Sequence, residues 1–165
     1  MHAKDAILST YAMSERVVDR YLEDLSDADI LVRPVPGQNH IAWQLGHLIL
    51  SERGMLEGVK PGSSPALPAG FEEAHGRDEA STRSDDAARF LSKSRYQELM
   101  KAQRDATKAA LAAASEADLD APGPERMRQM APTAGAVYLL VGTHVLMHVG
   151  QFVGVRRALK KPVAI

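Results

Sequence analysis

Two histidines, His144 and His148, stand four residues apart in the most apolar stretch of the chain. Residues at this spacing share one face of a helix, with Cβ atoms about 5–6 Å apart, so both imidazoles can reach one metal ion. Buried imidazoles need partners for their ring nitrogens, which a metal ion or hydrogen bonds can supply. The pair therefore indicates half of a metal site. Gln151, one turn beyond His148, is a candidate to hydrogen-bond a ligating imidazole.

A third histidine, His47, interrupts an apolar segment of another predicted helix. Gln44, His47 and Ser51 recur at three- and four-residue spacing, which predicts a polar stripe with Gln44 as a second group that supports a ligand. Gly46 removes a side chain beside His47 and would let a facing helix come close. A single histidine in such a place is more often a hydrogen-bonded core residue. Together with the pair it would complete a three-nitrogen site in a bundle core.

The other three histidines are not expected to bind the same ion. His2 lies at the N-terminus. His40 lies two turns before His47, about 10.5 Å along a helix axis, and is expected at the cavity mouth or in solvent. His75 falls in a long polar loop and is expected to be solvated, although such a loop could fold over a pocket.

The composition excludes several classes of function. The chain has 20 Lys and Arg against 21 Asp and Glu, a formal net charge of −1, so nucleic-acid binding has no electrostatic support. It has no Cys, which rules out disulfides and a cysteine nucleophile. Charged residues interrupt the N-terminal segment, unlike a signal peptide. The apolar stretch 134–149 is expected to fall short of a membrane span, so we expect a cytoplasmic protein without a membrane partner.

The elements that would position the histidines are helices. Apolar periodicity predicts four of them, over about 4–25, 39–58, 92–114 and 133–160. The predicted N-caps are Asn39, then Ser92 or Ser94 (with Gln97 at capping-box spacing), and Thr133. The connection 60–83 is predicted to be a loop, 85–91 a short helix, and 118–132 a second connection.

No segment has a strand pattern, so we predict an all-α four-helix bundle formed by a single domain, residues 1–165. The fourth predicted helix is apolar on nearly every side. Such a helix is either central in the bundle or partly buried against a second subunit, and we therefore expect a homodimer.

Three segments carry a resemblance to a known family: NHIAWQLGHL at 39–48, HVLMHVGQ at 144–151 and VRRALKKP at 155–162. They resemble the DinB-like metalloprotein family over nearly the whole chain. The resemblance implies an up-down-down-up bundle of the DinB/YfiT-like type, often dimeric, with one divalent metal ion. The three histidine ligands of the family match His47, His144 and His148.

The wider superfamily includes transferases and isomerases that use small thiols such as bacillithiol or mycothiol. Three imidazoles leave a coordination position open and suit several divalent metals, of which zinc or nickel is expected here. The leading interpretation is thus a metal-dependent transferase that activates a low-molecular-weight thiol toward a small-molecule substrate. Arg53, Arg156 or Arg157 could bind carboxylates of the thiol, although each is more often a solvated or dipole-pairing surface charge.

Two alternatives remain open at this stage. In a metal-dependent hydrolase, activated water would need a nearby general base, and Glu52 is the only carboxylate in the core of the second helix. Its position five residues after His47 places it off the ligand face. In a non-catalytic metal-binding stress-response protein, the ion would only stabilise the bundle.

Overall fold

A computed structural model describes residues 2–78, 82 and 84–164. Within these residues the chain is helical and no strand is present, which confirms the all-α prediction. The helices are α1 (Ala3–Leu22), α2 (Ile41–Val59), α3 (Phe71–His75), α4 (Lys93–Ala113), α5 (Glu116–Asp120) and α6 (Ala134–Ala158). Single 3₁₀ turns lie at Asp29–Leu31, Ala87–Arg89 and Glu125–Met127. The sequence analysis predicted the four long helices and missed α3 and α5.

Helix α2 begins one residue later than predicted. The cap is His40, whose Nδ1 accepts a hydrogen bond from the backbone N–H of Trp43 at 3.1 Å, while Asn39 precedes the cap. The prediction that His40 faces solvent or a cavity mouth is also wrong, because the residue is 1% exposed and its ring meets Phe90 edge-on at 4.5 Å. An imidazole in this position provides both the cap and an apolar body for the core.

Side-chain caps also begin the last two long helices. Ser92 accepts a hydrogen bond from the backbone N–H of Arg95 at the start of α4, so the cap is Ser92 and not Ser94. Thr133 accepts one from Ala136 at the start of α6, as predicted.

The first and last helices run side by side in the same direction. The Tyr11 hydroxyl donates to the carbonyl of Tyr138 at 2.8 Å, and further along both helices Arg156 donates to the carbonyl of Tyr21 at 2.9 Å. Helix α6 packs against α1, α2 and α5.

Helix α4 runs opposite to α1. Lys93 at its start donates to the carbonyl of Leu22, and Lys4 near the start of α1 donates to the carbonyl of Ala112 near the end of α4. Helix α2 packs between α4 and α6. These contacts make α6 parallel and α4 antiparallel to α1, and the up-down-down-up order that the family resemblance implies stays a prediction.

Two apolar clusters form the core, one toward each end of the bundle. One contains the fully buried residues Leu45, Tyr96 and Phe152, and the other contains Tyr11 and Leu111. Both clusters include residues of α2 and α6, the two helices that carry the three histidines of interest.

A buried ion pair joins α2 to α4. Arg104 donates to both carboxylate oxygens of Glu52 at 2.9 Å, and the two side chains are 5% and 8% exposed. The same guanidinium contacts the Ser14 hydroxyl at 3.3 Å and lies over the Tyr11 ring at 4.5 Å from its centroid. Removing one partner of such a pair leaves an uncompensated buried charge, so the pair holds Glu52 firmly toward α4.

By length and composition alone, α6 is long and apolar enough to cross a membrane. The helix has 25 residues and a mean hydropathy of 1.5 over its most apolar window. The stretch 134–149, which was expected to fall short of a span, forms the first part of this helix. Core helices of bundles have the same character, because they are apolar on most sides.

Candidate metal centre

The structure brings the three predicted histidines together between α2 and α6. One ring nitrogen of each of His47, His144 and His148 lies within 4.8 Å of the other two. Their ring centroids are 4.8 Å apart for His144 and His148, 5.0 Å for His47 and His148, and 5.7 Å for His47 and His144. The four-residue spacing on α6 therefore does place both imidazoles beside the third.

Neighbouring side chains hold two of the three rings. The indole of Trp43 stacks on the His47 ring with centroids 4.9 Å apart and an angle of 6° between the planes. His148 Nδ1 lies 3.3 Å from the Gln44 amide oxygen, which can only accept, so Nδ1 donates and Nε2 is left as the basic nitrogen. The amide of Gln44 is itself oriented, because its nitrogen donates to the carbonyl of Asn39.

The two glutamines named from the sequence thus differ in position. Gln44 contacts a ring of the cluster, as a group that orients a ligand would. Gln151 is exposed on α6, and the partner of His148 Nδ1 is Gln44. Ser51, the other member of the predicted polar stripe, places its hydroxyl 3.3 Å from His47 Nε2.

The electrostatics of the cluster favour neutral imidazoles. Burial lowers the pKa of His47 to about 4, with further lowering by the neighbouring His148, and burial likewise lowers the pKa of His144 to about 4. Burial also lowers the pKa of His148. At neutral pH the three rings are therefore uncharged, which is the form that binds a metal ion.

The donor set fits a divalent ion of the borderline class. Three neutral imidazole nitrogens on two rigid helices, with one ring oriented by an amide, match the pattern of catalytic zinc sites that use three protein ligands. Imidazole ligands alone do not choose among zinc, nickel, iron and copper.

A cavity of about 740 Å³ opens beside the cluster. His47 and His144 lie in its wall, and a small molecule placed in the cavity would therefore contact the cluster directly. The remaining wall comes from α2, from the segment after α3, from residues 126–130 and from α6. Pockets of this size hold a small-molecule ligand.

His75 is not solvated, contrary to the prediction. It is 1% exposed on α3, where Nδ1 lies 2.8 Å from the carbonyl of Phe71 and Nε2 lies 2.7 Å from the Tyr96 hydroxyl. Because a carbonyl only accepts, Nδ1 carries the proton, and the Tyr96 hydroxyl donates to Nε2 while accepting from the backbone N–H of Leu91. Both ring nitrogens are engaged, so His75 supports the wall of the cavity and is not a ligand.

Gly46 makes room for this histidine, which belongs to the short helix α3. A Cβ atom added at Gly46 would lie 2.0 Å from Cδ2 of His75. The absence of a side chain on α2 thus lets α3 dock against the helix directly beside His47. The sequence carried a signal for α3, since Phe71, Ala74 and His75 have the spacing of one apolar helical face.

The other charged residues proposed from the sequence lie elsewhere. Arg53 donates to the carbonyl of Pro65, and Arg156 is 3% exposed in a bond to the Asp24 carboxylate, so neither is a surface charge that could reach the cluster. Arg157 is exposed on the last turn of α6. Glu52 is bound to Arg104 and does not line the cavity, which removes the general base that a hydrolase would need.

We expect the substitution Gly46→Ala to lower the free energy of unfolding by about 1–3 kcal/mol, because the new methyl group overlaps His75. The matched control is Gly150→Ala, where an added Cβ meets no atom within 4 Å, and this variant should be as stable as wild type or gain up to about 1 kcal/mol. Urea denaturation of metal-free protein measures both. The cost of Gly46→Ala should also shrink in a His75→Ala background. Equal stability of the two glycine variants would contradict the docking of His75 on α2.

Comparison with known proteins identifies the family of the chain. A sequence comparison with curated proteins finds no match. The family model of the DinB superfamily matches residues 10–152, which include most of α1, all of α2 to α5 and the part of α6 that carries both of its histidines. The chain belongs to the DinB superfamily.

Proposed function

We propose that the protein is a metal-dependent transferase in which an ion held by His47, His144 and His148 activates a low-molecular-weight thiol. The observation that carries the proposal is the cluster of three neutral imidazoles, two of which, His47 and His144, lie in the wall of an open cavity. A bound divalent ion would lower the pKa of a thiol and stabilise the thiolate. Zinc or nickel is the proposed metal, and both are compatible with imidazole ligands.

The residues of the chain have separate parts in this function. Gln44 and Trp43 hold two of the imidazoles in orientation, and burial keeps all three neutral. The chain has no cysteine, so the thiol enters from solution through the cavity. The thiol sulfur would form a bond to an electrophilic carbon while the leaving group departs with its bonding electrons. Since no Asp or Glu lies among the described residues of the cavity wall, the thiol proton passes to water.

The wild-type protein is expected to hold about one divalent ion per chain, and His47→Ala, His144→Ala and His148→Ala to lose it. His2→Ala, at the exposed start of α1, serves as the control. Elemental analysis of tag-free protein after reconstitution with zinc or nickel measures the content. Because the pKa of His144 is about 4, protons compete for this nitrogen only near that pH, and the ion should remain bound at pH 6. Absence of metal even after reconstitution would reduce the three histidines to core residues.

Thiol transfer is tested by incubating the protein with each of several small thiols and an aryl halide electrophile. The absorbance of the thioether product measures the reaction. We expect turnover by the metal-loaded protein that disappears in the metal-free protein and in His144→Ala. Protein that keeps its ion but shows no metal-dependent turnover with any thiol would instead be a non-catalytic metal-binding protein, and the transferase proposal would be wrong.

We also propose that the protein is a cytoplasmic homodimer formed through α6. Leu139, Thr143 and Met147 lie at helical spacing on the outer face of this apolar helix, where Leu139 is 41% and Met147 63% exposed. We expect Leu139→Glu to give a monomer by analytical ultracentrifugation, whereas Leu8→Glu on the exposed face of α1 leaves the dimer intact. A wild-type chain that sediments as a monomer at micromolar concentration would exclude the dimer.

A further inference from the structure

Two arginines lie in the wall of the cavity that contains His47 and His144. Arg126 is in the 3₁₀ turn Glu125–Met127, and its Nη2 donates to the backbone carbonyl of Gly54 on α2 at 2.8 Å. A Cβ atom at position 54 would lie 3.2 Å from that nitrogen, so the glycine lets the guanidinium lie close against α2. A guanidinium has five N–H donors, and the bond to Gly54 uses one of them; among the described residues no other hydrogen bond of Arg126 is present, so the planar group has donors for a ligand at the cavity wall.

Arg77 lines the same cavity and belongs to the segment that follows α3. It follows the buried His75 by two residues, so the docking of His75 against Gly46 sets the position from which Arg77 extends. The arginine lines the same cavity as His47 and His144. Arg77 therefore lies near the place where a ligand of the ion would sit.

The charged side chains among the described residues of the cavity wall are all positive. Of the described residues that line the cavity, none is Asp or Glu, and the nearest core carboxylate, Glu52, is neutralised by Arg104 on the α4 side. Cavities lined by one sign of charge concentrate ligands of the opposite sign. A bound divalent ion would add to this positive field.

Much of the rest of the wall is apolar and adaptable. Four methionines contribute to it: Met55, Met127, Met130 and Met147. Methionine side chains are flexible and polarizable, and they pack against ligands of varied shape, including sulfur compounds. A cavity with two guanidinium groups and a methionine wall suits an anion with a carbon or sulfur body.

We infer that the small molecule bound beside the three histidines carries a carboxylate, and that Arg77 and Arg126 recognise this group while the methionines contact the remainder. The inference rests on the proposed function and adds the chemical class of the thiol: a carboxylated thiol, not a neutral one. Guanidinium groups bind carboxylates through paired, charge-assisted hydrogen bonds, which explains why arginine and not lysine suits this position.

The test compares two thiols of equal size, 3-mercaptopropionate and 3-mercaptopropionamide, by isothermal titration calorimetry on the zinc-loaded protein. The ratio of their Kd values isolates the effect of the negative charge. We expect the wild-type protein to bind the acid about tenfold more tightly, as one charged contact typically gives. Arg77→Gln and Arg126→Gln should each reduce the ratio, and the double variant should bring it close to one. Arg16→Gln, on the exposed face of α1, is the matched control and should leave the ratio unchanged.

A thiol-free pair, succinate and succinamide, separates this inference from the proposed function. If neither thiol binds but succinate binds in a manner that depends on Arg77 and Arg126, the thiol proposal fails and the carboxylate site stands. If both thiols bind equally well, or if the double variant keeps the preference for the acid, the carboxylate site is overturned while thiol binding stands. If none of the four compounds binds, both fail. Zinc content and thermal melting of each variant confirm that fold and ion are intact.

Discussion

The burial of three imidazoles between two apolar helices is the constraint on which the rest of this structure depends. A buried ring nitrogen without a partner is costly, so the neighbours of His47 and His148 are arranged around that need: the Gln44 amide oxygen and the Ser51 hydroxyl approach ring nitrogens. The same burial lowers the pKa of the rings and keeps them neutral. The interface between α2 and α6 therefore remains close-packed while it presents basic nitrogens to a cavity.

Two further histidines, His40 and His75, have structural roles that support the cluster of three. His40 caps α2 through Nδ1, and His75 lies against α2 at Gly46 while its ring nitrogens bond to Phe71 on α3 and Tyr96 on α4. Both fix the surroundings of His47, one at the start of its helix and the other beside it at Gly46. Three of the five histidines around α2 therefore face one another, and the other two fix the helices around them.

The sequence was sufficient for what depends on local periodicity and not for what depends on tertiary contacts. The four long helices and the convergence of His47, His144 and His148 follow from apolar spacing and from the packing of four helices. The place of His75 does not, because its burial depends on a gap in α2 that only the folded chain fills. From the sequence, Arg156 was expected to be a surface charge near the end of a helix. In the folded chain it is buried and bonded to Asp24, which is distant in sequence.

The separation of charge across the bundle explains which chemistry the site can support. Glu52 and Arg104 face a smaller cavity of about 360 Å³ between α1 and α4, where charges of both signs are present. The histidine cavity on the other side of α2 has only positive side chains in its described wall. A carboxylate in that wall would serve as a general base and would also repel an anionic ligand. Since Glu52 is bound on the far side of α2, the cavity keeps a field that favours anions, which suits a thiolate more than a reaction that needs a base.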